Sequence, residues 1–261
     1  MSYVGGKARG AEHILAVLNH PAFDGYDYLE PMVGYGHILH RVRNKRSYAA
    51  SDANPLVVSL LRGVQRGETL PPITRARYAQ LKAAKDDASF ERAIAAFQWS
   101  FNGKEFGGYV HYYTRPDGRV DDIPASRARH YAALRASPAF AHATLTHCDY
   151  RAHTPPSQCL VYCDPPYQHT TGYATAPFDH AAFWQTVREW SEDNAVFVSE
   201  YAAPPDFVCV AERAKPSCLA GGHRQSPRTE RLFTHAEGVA HATLPVLSAF
   251  TKVECAACPP R

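Results

Sequence analysis

The sequence lacks the features of membrane and secreted proteins. No uninterrupted apolar run approaches the roughly 18 residues that are needed to span a bilayer. The opening segment, MSYVGGKARG, has no apolar region of the kind that a secretory signal carries. We therefore expect a cytoplasmic protein that has no membrane partner.

Cysteine gives no sign of a disulfide framework or of a metal centre. The seven cysteines are an odd number scattered over 261 residues, which is typical of reduced thiols. Cys255 and Cys258 alone have metal-like spacing, and no second pair lies near them in the sequence. We predict no bound metal, and the role of this last segment stays open.

The chain also lacks a strong excess of charge. Its formal net charge is +3, with 20% charged and 45% hydrophobic residues, so it has too many apolar side chains for a disordered protein. A chain of 261 residues can bury a full core as one large domain or as a core domain with an insertion. The net charge permits an anionic partner without requiring one.

Two successive segments have the pattern of a strand, a loop and a helix. In residues 26–42 a short strand precedes Gly34 and Gly36, and an apolar helical pattern follows. In residues 47–67 a strand ends at Asp52, and Asn54 with Pro55 can begin the next helix. Such units predict an α/β protein with a parallel sheet and crossover helices.

The pattern changes between residues 69 and 140, where helical segments surround a stretch rich in glycine, tyrosine and charge. Strand patterns resume at 143–150, 159–164 and 194–201. We therefore predict a catalytic domain made of residues 1–68 and 141–261, with residues 69–140 inserted into it. One chain holds all of these parts, which favours a monomer.

The glycine turn and Asp52 together suggest a nucleotide-like ligand. Glycine lets the backbone approach a ligand closely, although a G-x-G alone is also typical of a plain tight turn. Asp52 ends the following strand, where a carboxylate can accept hydrogen bonds from ribose hydroxyls. The third glycine of a dinucleotide motif is absent, because residues 37–40 read HILH. An adenosine-containing cofactor other than NAD is the better interpretation.

A second motif, DPPY at residues 164–167, follows an apolar strand. Two prolines have fixed φ angles and no amide hydrogens, so the turn offers acceptors at the end of the strand. The exocyclic amino group of a nucleobase needs such a site, with Asp164 and the Pro165 carbonyl as acceptors and the Tyr167 ring over the base. Stacking on one ring contributes about 1–3 kcal/mol, which only offsets the extrusion of a base from a duplex.

Several motifs, in one order, resemble the Dam-like, phage-type DNA adenine-N6 methyltransferases over about residues 1–235. The segments that carry the resemblance are YVGGK at 3–7, YLEPMVGYG at 28–36, SDANP at 51–55, CDY at 148–150 and DPPY at 164–167. The resemblance implies a Rossmann-like mixed sheet of the class I methyltransferase type with an inserted, mainly helical target-recognition region. Met32 departs from the family pattern, which usually has phenylalanine there.

The resemblance further implies S-adenosylmethionine as the cofactor. The implied cofactor residues are Tyr3, Lys7, Glu30, Pro31, Gly34, Gly36, Asp52, Asp149, Tyr150 and Asp164. The implied catalytic residues are Asp164, Pro165, Pro166 and Tyr167. Hydrogen bonds to Asp164 and the Pro165 carbonyl would stabilise the positive charge that the target nitrogen gains on attack. Cys163 is interpreted as a packing residue, because methylation of an amine needs no covalent intermediate with the enzyme.

DNA, with the target base flipped out of the duplex, is the expected partner. Two loop-like segments, 104–119 and 221–231, combine cations with tyrosine or glycine. Their candidate DNA-binding residues are Lys104, Tyr109, Arg115, Arg119, Arg224, Arg228 and Arg231. An ordinary solvated surface is the other reading of each arginine.

Other functions stay open at this point. Cytosine-N4 methylation makes the same demands on the site, although that chemistry more often uses serine where this chain has Asp164. Methylation of RNA or of a protein amide would be expected to use asparagine there. A non-catalytic DNA-binding module could keep the scaffold without turnover, and an NAD enzyme would leave the diproline turn unexplained.

Overall fold

The computed structural model describes residues 7, 10–69, 71–168, 178–214, 219–220, 223–224 and 229–237. The strands are β1 Asp27–Glu30, β2 Ser47–Asp52, β3 Tyr112–Thr114, β4 Val120–Asp122, β5 Thr144–His147, β6 Cys159–Cys163, β7 Ala195–Glu200, β8 Phe207–Ala214, β9 Leu219–Ala220, β10 His223–Arg224 and β11 Thr229–His235. The α-helices are α1 Glu12–Leu18, α2 Pro55–Gln65, α3 Arg75–Ala83, α4 Phe90–Phe97, α5 Ile123–Arg135, α6 Pro138–Ala141 and α7 His180–Ser191.

Seven of the strands form one sheet, in the order β5-β2-β1-β6-β7-β11-β8. Strand β6 runs parallel to both β1 and β7, and β2 runs parallel to β5. Strand β11 is antiparallel to both of its neighbours, β7 and β8. This is the Rossmann-like mixed sheet that the sequence predicted, and that part of the prediction is confirmed.

The chain divides into two compact units. The first contains residues 1–11, 31–42 and 48–152, and the second contains residues 12–30, 43–47 and 153–261. The sequence-based division into 1–68 plus 141–261 and an inserted region 69–140 stays a prediction.

Helix α2 organises the first unit. Its start follows the predicted cap: the Asn54 side chain accepts a hydrogen bond from the Leu56 amide, and Pro55 occupies the first turn. Leu60, Leu61 and four other apolar residues on the helix are buried, as is Gly63. The helix packs against α4, where the Phe90 ring leaves no room for a side chain at Gly63.

The second unit is built around two fully buried strands. Every residue of β6 and of β7 is buried, which is the pattern of strands covered on both faces. Helix α7 begins at the Asp179 cap and buries Phe183, Trp184, Val187 and Trp190. These residues supply the core from which the motif at 164–167 extends.

The helix predicted after Gly36 is wrong in its length. The segment forms only a three-residue 3-10 helix, Leu39–Arg41, and Val42 already has extended backbone. Ile38, at the start of this turn, makes no side-chain capping hydrogen bond, and Asn44 has a positive φ of 57°. Ile38, Leu39 and Val42 are buried nevertheless. The apolar pattern therefore predicts correctly which residues are buried, but it predicts the wrong kind of helix.

Within the described residues, no helix is both long and apolar enough to cross a membrane.

Candidate active site

The first unit contains a loop, residues 31–36, that is fastened to strand β2. The Val33 amide donates to the Ser51 carbonyl at 2.9 Å, and the Ser51 hydroxyl donates to the Pro31 carbonyl at 3.2 Å. Ser51 is fully buried. We call residues 31–36 the glycine loop; its start is fixed by backbone and side chain together.

Asp52 holds the centre of the glycine loop. One carboxylate oxygen accepts a hydrogen bond from the Gly34 amide at 3.0 Å, and the other accepts one from the Asn54 amide at 2.8 Å. Burial raises the pKa of Asp52, although both amides act in the opposite direction. Each oxygen has lone pairs beyond these two bonds, so the side chain can still accept from a ligand hydroxyl.

The two glycines of the loop serve different purposes. Both have positive φ, +48° at Gly34 and +67° at Gly36, which favours glycine. A Cβ at Gly34 would have no atom within 4 Å, so this position faces open space. A Cβ at Gly36 would touch Leu134 at 3.5 Å and Leu61 at 4.0 Å. Gly34 therefore permits the approach of a ligand, whereas Gly36 permits close packing.

Other predicted cofactor residues of the first unit have structural partners. Lys7 is 5% exposed and Tyr150 is buried. Asp149 accepts hydrogen bonds from the Arg151 amide at 3.0 Å and from its guanidinium at 2.7 Å, which lowers the pKa of Asp149. Tyr3 lies outside the described residues. A hydrogen bond joins two of the predicted cofactor residues, Gly34 and Asp52, directly.

In the second unit, the DPPY motif forms a corner at the carboxyl end of β6. The strand before it is buried throughout, Asp164 is half-buried, and Pro165 is buried. Burial strongly raises the pKa of the Cys163 thiol, so this residue is not a thiolate. Its place in the strand suits the packing role that the sequence suggested.

Two buried carboxylates hold this corner. The Tyr167 hydroxyl donates to Glu230 on β11 at 2.5 Å, and the Gln168 amide donates to Glu200 on β7 at 3.0 Å. Glu200 and Glu230 are each 2% exposed. The Tyr167 ring also meets Tyr201 edge to face, with centroids 4.8 Å apart. The tyrosine ring is thus fixed at its hydroxyl and at one edge.

Sequence reasoning missed both glutamates. For Glu200 the available signal was an acidic residue at the end of an apolar strand, AVFVSE, the same pattern that marks Glu30 at the end of β1; Glu230 is the second residue of β11 and has no such signal. Glu30 is equally buried and accepts a hydrogen bond from the Tyr28 hydroxyl at 2.8 Å. A buried carboxylate costs free energy unless it is hydrogen-bonded, so an acidic end to an apolar strand indicates a built site.

Most of the predicted DNA-binding residues have local partners. Arg115 and Arg119 form ion pairs with Asp121 and Asp117, both at 2.6 Å. Arg231 pairs with Glu212 at 3.2 Å and donates to the Tyr201 carbonyl at 2.8 Å. Such exposed pairs are worth little free energy and can exchange for phosphate. Lys104 is exposed, Arg224 contributes backbone to β10, and Arg228 lies outside the described residues.

Tyr109 belongs to a packed aromatic cluster rather than to an open surface. Its ring stacks on Trp99 and its hydroxyl donates to the Ile73 carbonyl at 3.0 Å. The exposed rings of this region are Tyr112 and Tyr113 on strand β3, which are 60% and 39% exposed. They stand on the β3–β4 hairpin beside Arg115, and the sequence did not distinguish them from Tyr109.

Within the described residues, no group of three or more histidine, cysteine, aspartate and glutamate side chains is arranged to hold a metal ion. Cys255 and Cys258 lie outside those residues.

Comparison with known proteins gives structural similarity only. No protein-family model matches the chain. No curated protein matches it by sequence. The rRNA methyltransferase aviRa from Streptomyces viridochromogenes is 15% identical, with 93% of this chain and 91% of that chain covered at a TM-score of 0.37. The proposed methyltransferase yhhF from Escherichia coli is 11% identical, with 89% and 90% covered at 0.35. SMU.472, a proposed methyltransferase complexed with SAH, is 13% identical, with 89% and 55% covered at 0.32.

Proposed function

We propose that the protein transfers a methyl group from S-adenosylmethionine to the N6 amino group of adenine in DNA. The observation that carries the proposal is the DPPY corner: Asp164 follows a buried strand, and the Tyr167 ring is held by Glu230. A turn with two prolines offers acceptors without competing amide donors. This is the complement of a nucleobase amino group, which has two N–H donors.

The glycine loop supports the choice of cofactor. Gly34 leaves open space above the backbone, and Asp52 is held beside it with acceptor capacity left for ribose hydroxyls. The residues that would hold the cofactor are Tyr3, Lys7, Glu30, Pro31, Gly34, Gly36, Asp52, Asp149, Tyr150 and Asp164. When bound, S-adenosylmethionine supplies a methyl group made electrophilic by its sulfonium sulfur.

The corner's own residues would perform the rest of the chemistry. Asp164 and the Pro165 carbonyl accept the two N–H bonds of the amino group, which stabilises the positive charge that its nitrogen gains. Tyr167 stacks on the base, and its bond to Glu230 keeps the ring from rotating away. Asp164 serves as an acceptor, because the proton can leave after the methyl group has been transferred.

The β3–β4 hairpin would contribute to DNA binding. A two-stranded ribbon fits the major groove, and the exposed Tyr112 and Tyr113 can contact bases while Arg115 and Arg119 contact phosphates. Arg115 and Arg119 thus remain candidate DNA-binding residues, and Tyr112 and Tyr113 join them.

The test is methylation of unmodified plasmid DNA with radiolabelled S-adenosylmethionine, followed by nucleoside analysis. The wild type should yield N6-methyladenine. Asp164→Ala should lose at least about 100-fold in rate, which is typical of removing a group that stabilises the transition state. Asp86→Ala changes an exposed aspartate on the surface and should leave the rate unchanged.

Each other outcome points to a different function. N4-methylcytosine would favour the cytosine enzyme, and a methylated RNA with unmodified DNA would favour an RNA substrate. Cofactor binding without transfer to any nucleic acid would favour the non-catalytic module. A wild type that binds no S-adenosylmethionine would overturn the proposal altogether.

A further inference from the structure

Three histidines of the first unit lie together against the glycine loop. His37 and His40 follow the loop in sequence, and His130 comes from helix α5. The His37 and His130 ring centroids are 4.2 Å apart, and those of His40 and His130 are 5.6 Å apart. All three side chains are half-buried. We call these residues the histidine cluster; the DPPY chemistry does not use them.

Two members of the cluster bind consecutive carbonyls of the loop. His130 Nε2 lies 3.0 Å from the Tyr35 carbonyl, and His40 Nδ1 lies 2.7 Å from the Gly36 carbonyl. A carbonyl can only accept, so both ring nitrogens must carry hydrogen. The geometry therefore requires the Nε2–H tautomer of His130 and the Nδ1–H tautomer of His40 when the rings are neutral.

Helix α5 contacts the same part of the loop a second time. The Leu134 side chain limits the space at Gly36, and Leu134 lies one turn after His130 on the same face of the helix. One helix face thus donates a hydrogen bond to the Tyr35 carbonyl and places an apolar side chain where a Cβ at Gly36 would have to fit. This helix begins at Ile123 and is capped by Asp122, the last residue of the β3–β4 hairpin.

The surroundings of the cluster favour neutral rings. Burial lowers the pKa of all three histidines, that of His37 to about 3. His130 and Arg41 lower the pKa of His37 and His40 further. Tyr131 borders His130 from α5, and Tyr35 borders His37 from the loop. The loop carbonyls oppose the shift at His40 and His130 without reversing it.

We propose that His130 and His40 are positioning residues that fix the glycine loop in the conformation that binds the cofactor. The cofactor part rests on the function proposed above. The two N–H groups orient the Tyr35 and Gly36 peptides from one side while Asp52 holds Gly34 from another. The loop is then set before a ligand arrives, so binding does not have to order it.

The first test uses the ligand-free protein and does not depend on the cofactor. Hydrogen exchange measured by NMR should show that the Gly34 and Gly36 amides exchange about 3- to 10-fold faster in His130→Leu, the range expected for one lost hydrogen bond. In His130→Gln the Gly34 and Gly36 amides should exchange at the wild-type rate, because the glutamine side-chain amide can replace the Nε2–H donor. His142→Gln, at an exposed histidine of the same unit, is the matched control.

Nitrogen chemical shifts of the wild type report the tautomers directly. Nε2–H at His130 and Nδ1–H at His40 are expected, and the opposite tautomer at either ring would overturn the inference. This measurement also keeps the inference falsifiable if His130→Leu does not fold.

The second test is the affinity for S-adenosylmethionine, measured by calorimetry. His130→Leu should bind about 3- to 10-fold more weakly, and His130→Gln should restore most of the affinity. If exchange follows the prediction but the wild type binds no cofactor, the loop contact holds and the proposed function fails. If exchange and affinity are both unchanged in His130→Leu, the inference is wrong.

Discussion

At the scale of single residues, Tyr167 shows how the proposed catalytic motif depends on residues far away in sequence. Its hydroxyl donates to Glu230, 63 residues later, and the neighbouring Gln168 amide donates to Glu200. Both acceptors are buried carboxyl groups whose desolvation must be offset by hydrogen bonds. Two later strands therefore hold the motif that, in the proposed function, supplies the reacting groups.

Replacing Tyr167 by phenylalanine tests this bond. The ring is kept, but one donor to the buried Glu230 carboxylate is lost, so the free energy of unfolding should fall by about 1–3 kcal/mol. Urea unfolding measures the change. In the background of Glu230→Gln the same substitution should cost less, because a neutral amide is cheaper to leave without this donor. Equal costs in both backgrounds would show that the two side chains are not coupled.

Asp52 joins the glycine loop to the start of helix α2. Asp52→Ala removes the acceptor for two amides, those of Gly34 and Asn54, and should lower the free energy of unfolding by about 1–3 kcal/mol. Asp52→Asn keeps one acceptor oxygen and should cost less than alanine. Urea unfolding of the two variants shows which substitution lowers the free energy of unfolding more. An alanine variant as stable as the wild type would mean that the loop does not need the carboxylate.

The histidine cluster makes stability depend on pH. Because the folded pKa of each ring lies below the usual value of about 6.5, the neutral cluster stabilises the fold above that pH. The contribution is lost as the pH falls, because the unfolded chain binds protons first. The unfolding free energy of His130→Gln should therefore decline less between pH 7 and pH 5 than that of the wild type. Equal declines would mean that His130 has an ordinary pKa in the folded protein.

At the scale of elements, the packing of α2 against α4 depends on Gly63. A Cβ there would lie 2.1 Å from the Phe90 ring, although glycine inside a helix is otherwise unfavourable. Gly63→Ala should therefore lower the free energy of unfolding by about 1–3 kcal/mol instead of raising it. Thermal or urea unfolding shows whether Gly63→Ala lowers or raises the free energy of unfolding. Phe90→Leu should relieve much of the cost, and a stabilised Gly63→Ala would show that the ring moves aside freely.

The β3–β4 hairpin is an element with little packing of its own. Tyr112 is 60% exposed, so Tyr112→Ala should change the unfolding free energy by no more than about 0.5 kcal/mol. If its ring contacts a base, the affinity for DNA should fall by about 1–3 kcal/mol, as measured by fluorescence anisotropy. Phe101→Ala alters an exposed ring outside the hairpin and is the control. Equal losses in both variants would mean that the hairpin has no special role.

Some of the helices and strands can be predicted from the sequence, and others cannot. The apolar runs at 159–163 and 195–200 predict buried strands, and Asn54 with Pro55 predicts the start of α2, because those signals are local. The segment after Gly36 has the apolar pattern of a helix but forms a short turn, because periodicity reports which residues are buried and not whether a capping residue is present. Likewise, sequence alone cannot separate the packed Tyr109 from the exposed Tyr112, since both occur in one tyrosine-rich stretch.

At the scale of the whole molecule, a cofactor that binds only the folded chain must stabilise it. At a concentration 100 times its dissociation constant, S-adenosylmethionine should add about 2.7 kcal/mol to the free energy of unfolding. Asp86→Ala, at an exposed aspartate, should keep this increment, whereas Asp52→Ala should lose most of it, because the carboxylate that would accept from the ribose is gone. NAD should give no increment, since the loop lacks the third glycine of a dinucleotide motif. Equal increments from both compounds would mean that the glycine loop recognises only the adenosine they share, and stabilisation by NAD alone would remove the case for a methyl donor.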